Sequence, residues 1–107
     1  FAVQGNISGR VVESRNLAIQ DIALTIQDEI NLAAESSNGY YREFEIPNKV
    51  LIIDYEVNIT EEVVYVRTVN GKYAIALPVH EVVGQPRLGL NVIRREFDVI
   101  YINSNPA

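Results

Sequence analysis

The chain has 107 residues, of which 48% are hydrophobic, and it carries fourteen acidic against nine basic side chains for a net charge of −5. That is the length of one domain with one core. The absence of Cys excludes disulfide scaffolds, thiolate metal sites and cysteine nucleophiles, and charges scattered without a basic stripe argue against nucleic-acid binding.

The first fifteen residues, FAVQGNISGRVVESR, allow two readings. Ile7, Val11 and Val12 extend an apolar helical face backwards from Ile19, which predicts a helix from about Asn6. Alternatively GNISGRVV is a strand, and Ser14 caps a shorter helix. From Asn16 to Ala34 the spacing is that of a helix. Ile19, Ile22, Ala23, Ile26, Ile30 and Ala33 recur at steps of three and four. Gln20, Asp21, Gln27, Asp28, Glu29 and Asn31 fall mostly on the opposite side, and Ser36-Ser37-Asn38-Gly39 supplies a stop, with Gly39 suited to close the helix. The reading is therefore a helix over about 6–35 whose face of Ile19, Ile22, Ala23, Ile26 and Ile30 packs on a sheet.

After Gly39 the period changes to two. YYREFEIP places Phe44 and Ile46 on one face and ends at Pro47; KVLIIDYEVNIT places Tyr55, Val57 and Ile59 inward, with Asp54, Glu56 and Asn58 outward. VVYVRTV and GKYAIALPV flank Asn70-Gly71, a strong hairpin signal. Residues 80–89 read as a loop, and LNVIRR with DVIYINS forms a last hairpin turning near Glu96-Phe97-Asp98. The predicted architecture is α+β in a single domain, 1–107: a long N-terminal amphipathic helix packed on an antiparallel sheet of five or six strands over 40–103, with a tail at 104–107.

The order of a helix ending EINLA, an SSNG break, GYYREFEIP, YEVNI, VVYV, ALPV and NVIRREFDVIYIN resembles the headgroups of archaeal type IV pilin-like proteins, the family made with class III signal peptides. The resemblance covers roughly residues 15–103. The family's apolar N-terminal half-helix and processing site are missing from this sequence, with Phe1-Ala2-Val3 read as the last remnant of that segment. The resemblance implies a major or minor structural subunit of a surface filament or anchored surface complex, extracellular, with a role in adhesion. Its partners would be copies of itself or related pilin subunits, and its contact with the membrane would run only through the missing segment.

No motif of catalysis or cofactor binding stands out, so the expectation is a non-enzyme without cofactor or metal. His80 is the only histidine, too few for the ligand sets of catalytic zinc. No Ser lies in a G-x-S-x-G setting. The N-x-S/T triplets at Asn6 and Asn58 are candidate glycosylation acceptors. Phe97, an aromatic residue between Glu96 and Asp98 in a turn, is a candidate subunit contact. The runner-up reading is a carboxypeptidase-regulatory-like β-sandwich of a surface binding protein, in which Ala23–Gln27 is a strand. Helical spacing and the Gln, Asp and Glu content oppose it.

Overall fold

The computed structural model describes residues 7–49 and 54–105, with side chains described from Leu17 onward. The helix α1 spans Ile7–Ala34. It is followed by β1 (Tyr41–Ile46), β2 (Tyr55–Thr60), β3 (Val63–Thr68), β4 (Ala74–Pro78), β5 (Val82–Gly84), β6 (Gly89–Glu96) and β7 (Val99–Ile102).

These seven strands form two sheets rather than one. The first has four strands in the order β1-β6-β7-β5, and the second is the meander β2-β3-β4. The expectation of a long helix laid across a single antiparallel sheet of five or six strands is thereby overturned. Alternating apolar residues fix which face of a strand is buried, but they do not choose its partner. The partner follows from the connections. Two residues, Glu61 and Glu62, join β2 to β3, and a short loop joins β3 to β4, so these three pair locally. After β1, Pro47 lacks the N–H that would continue a ladder, and β1 pairs instead with distant β6, Tyr41 opposite Arg94 and Ile46 opposite Gly89.

The region 80–89, read from the sequence as a loop, contains β5. This strand lies parallel to β7, with Val82 opposite Ile100 and Gly84 opposite Ile102, so the first sheet is mixed. Three residues are too few for a period to be recognised. Gly84 is required here: its φ is +105°, and a Cβ would lie 1.9 Å from the carbonyl oxygen of Ile102.

The helix serves both sheets at once. Ile19, Ile22, Ala23, Ile26, Ile30 and Ala33 are buried, in one core with Phe44, Ile46, Ile93, Ile100 and Ile102 of the first sheet and Tyr55, Ile59, Val64 and Val66 of the second. Ile22 and Ala23 lie ~100° apart on the helix surface, so the apolar face is broad enough to touch two sheets. The described packing is confined to Leu17–Ala34, a segment of ~27 Å at 1.5 Å per residue. Glu29, placed by its spacing among outward residues, is buried at 7% exposure. It sits at the rim of the face, where Arg42 Nε reaches its carboxylate at 3.0 and 3.2 Å. The strand that the sandwich reading needs at Ala23–Gln27 is helical, so that alternative loses its register.

A side-chain amide joins the two sheets. Gln85 accepts from the Ile59 N–H and donates to the Ile59 carbonyl, both at 2.7 Å, as a neighbouring strand would. Its own carbonyl accepts from Asn103 Nδ2 at 2.9 Å.

Candidate contact surface

In NVIRREFD, alternation sends consecutive side chains to opposite faces of β6. Ile93 and Arg95 face the helix, while Val92 and Arg94 face away. Arg95 is thus delivered under the end of α1, where the last carbonyls of any helix lack intrahelical partners. The helix has no basic residue in its own last turn. Arg95 Nη1 takes that role from some sixty positions further on, donating to the carbonyls of Ala34 and Ser36 at 2.7 Å each. A cation placed there also opposes the negative end of the helix dipole. Gly39, expected to close the helix, instead adopts φ +96° in the turn before β1, and its N–H donates to the Arg95 carbonyl at 2.7 Å.

Beyond Arg95, β6 turns into β7 through two residues. Phe97 and Asp98 have φ of 54° and 63°, the left-handed pair that a tight hairpin needs and that Asn-Gly normally fills. A bulky L-residue held there costs ~1–2 kcal/mol. The turn persists because it is tied from outside. The Asp98 N–H donates to Asn38 Oδ1 at 2.9 Å, and Asn38 Nδ2 donates back to the Asp98 carboxylate at 3.2 Å. The Arg95 guanidinium lies 3.5 Å from the same carboxylate. One clamp therefore locks helix end, exit loop and hairpin turn together.

The clamp leaves Phe97 outside. Its exposure is 74%, the highest among the exposed large hydrophobic residues described. Beside it opens a cleft of about 430 Å³, lined by Ala34, His80, Val82, Arg95, Asp98 and Ile100 among others. Val83, on the rim, is 45% exposed. A rigidly held apolar projection next to a recess is suited to docking a surface of complementary shape. His80 lies on the wall of this recess and is itself exposed.

The other sequence-derived residues are dispersed. Ile19, Ile22, Ala23, Ile26 and Ile30 are in the core. Asn58 lies on the outward face of β2, exposed, opposite Tyr65, and its amide donates to Thr60 Oγ1 at 3.3 Å. Asn6 lies outside the described residues. Among the described residues no group of three or more His, Asp or Glu side chains is assembled as for a metal, and no helix is long and apolar enough to cross a membrane, which says nothing of a β-barrel. Arg95 and Asn38 were not singled out from sequence. The signal was present in the strand alternation of Ile93 and Arg95, which puts a cation on a buried face and requires it to find acceptors.

No family model, curated protein or solved structure matches this chain.

Proposed function

We propose that this chain is the head of a structural subunit, of the archaeal type IV pilin-like kind, that assembles with copies of itself or related subunits at the cell surface. The observation that carries the reading is Phe97: an exposed aromatic kept in a strained left-handed turn by Asn38, Asp98 and Arg95. Strain retained at a surface position needs a use to offset it, and aromatic side chains are enriched where proteins meet. In this reading Phe97 and the adjoining cleft engage the next subunit, while the α1 face of Ile19, Ile22, Ala23, Ile26 and Ile30 holds the head together. The order of segments shared with pilin-like headgroups adds support, and the proposal assigns no catalytic step to the chain.

The test is location and form. Antibodies raised against this head and applied to the sheared surface fraction of the producing cells should decorate filaments or surface assemblies under the electron microscope. Recovery of the protein only from the cell interior, with no labelled surface structure, overturns the proposal.

A further inference from the structure

The outward face of the first sheet carries a second feature, independent of the contact at Phe97. Register aligns Tyr41, Arg94, Tyr101 and Val83 in one row across all four strands. The Arg94 guanidinium carbon lies 5.5 Å from the centre of the Tyr41 ring, within range of a cation–π contact. Its Nε is sealed from solvent and has no hydrogen-bond partner. Next to it is a recess of about 240 Å³ whose lining includes Tyr41, Arg87, Arg94, Asn103, Ser104 and Asn105.

Both arginines are set in place by the fold. Arg94 stands on β6. Arg87 is fixed at its backbone by Asn91, which is fully buried: Asn91 Oδ1 accepts from the Arg87 N–H, and Asn91 Nδ2 donates to the Arg87 carbonyl, each at 2.8 Å. Asn103 completes the network, donating to Asn91 Oδ1 at 2.8 Å and accepting from the Val92 N–H at 2.9 Å. A buried polar network satisfied in this way holds its members rigidly.

Charge pairing separates these two arginines from the rest. Among the described residues Arg42, Arg67 and Arg95 each meet a carboxylate, on Glu29, Glu56 and Asp98 respectively. Among the described residues Arg87 and Arg94 meet none within 4 Å, and both line the same recess. Glu43, on the same strand as Tyr41, accepts from the Tyr41 hydroxyl at 3.0 Å, and that hydrogen bond raises the Tyr41 phenol above its ordinary pKa. In a chain of net charge −5, two arginines with no carboxylate partner among the described residues line one small hollow.

We infer that this recess binds the carboxylate of an acidic sugar, a single hexuronic acid unit or its like. Guanidinium groups match a carboxylate in geometry as well as charge. The neutral hydroxyl of Ser104 and amide of Asn105 at the wall suit ring hydroxyls better than further negative charge. The volume is below the ~300–1,000 Å³ of clefts for drug-sized ligands, room for one sugar unit within the recess itself. The site does not depend on whether the chain assembles into a filament.

The experiment is a titration of the whole chain, followed by NMR and calorimetry, with sodium glucuronate, glucose, acetate and inorganic phosphate as separate probes. Glucuronate should shift the Arg94 Nε–H and Tyr41 resonances and bind at least tenfold tighter than glucose or acetate. Arg94→Gln and Arg87→Gln should each weaken glucuronate at least tenfold. Arg67→Gln, on the other sheet, should leave it unchanged. The wild-type shifts do not depend on any variant folding. Equal binding of acetate or glucose, tighter binding of phosphate, shifts elsewhere than this recess, or full affinity in folded arginine variants would each overturn the assignment.

Discussion

Replacing Phe97 by Asn should make the isolated head more stable. A left-handed φ costs a bulky L-residue ~1–2 kcal/mol, most of which Asn avoids because its short side chain tolerates that region. Against this stands lost burial. At 74% exposure Phe97 has only about a quarter of its surface covered, worth ~0.5 kcal/mol if full burial is worth ~1.5–3 kcal/mol. The net gain is ~0.5–1 kcal/mol, and since 1 kcal/mol moves the melting temperature of a domain near this size by ~4–8 °C, a rise of ~2–8 °C follows. Asp98 is left untouched because its bonds to Asn38 and Arg95 hold the turn. The assay is thermal unfolding followed by circular dichroism, at a protein concentration where the head is monomeric. An unchanged or lower melting temperature would refute the reasoning, because Phe97 would then be packing within its own chain rather than held out at a cost.

Three further outcomes follow from the packing. Ile26→Ala, at a fully buried position, should cost ~2–5 kcal/mol, whereas Leu24→Ala, on the opposite side of α1 and 37% exposed, should cost ~1 kcal/mol or less; equal melting temperatures would contradict the buried face. Gly84→Ala forces a Cβ into the Ile102 carbonyl at a left-handed φ, so β5 should leave β7, read as loss of amide hydrogen-exchange protection at residues 82–84. Burial pushes the Tyr55 phenol up to about 12 from 10.0, and its hydroxyl donates to the Pro47 carbonyl. The unfolded chain releases this proton first, so the contribution is complete below pH 10 and is lost between pH 10 and 12. Thermal melts should show that decline, and Tyr55→Phe should make it shallower.

The helix and the strand faces could be read from the sequence because each depends on local spacing. Ile19, Ile22, Ala23, Ile26 and Ile30 repeat at helical steps, and Tyr55, Val57 and Ile59 alternate over a whole strand. The two hairpins β3-β4 and β6-β7 were legible from their turns, whereas pairing between strands distant in sequence was not, because it is decided by which apolar edges meet after collapse. Tyr41 finds Arg94 across more than fifty residues, and no local pattern announces that. The same holds for the helix terminus: SSNG advertises a stop, yet the carbonyls of Ala34 and Ser36 are capped from β6. Glu29 shows a third limit. A residue at the margin of an amphipathic face can be drawn inside when a cation such as Arg42 reaches it. Phe97 was visible as an odd aromatic in a turn, but its clamp required Asn38 and Arg95, which come together only in the folded chain.

Replacement of Phe97 by a photo-reactive benzoylphenylalanine in the producing cells tests most directly whether the clamped turn meets a neighbouring subunit. Irradiation should yield covalent products joining this chain to another copy or to a related subunit, mapped by mass spectrometry to the cleft beside β5 or to its counterpart. A chain that remains monomeric after irradiation, with the probe joined only to solvent, would contradict the account.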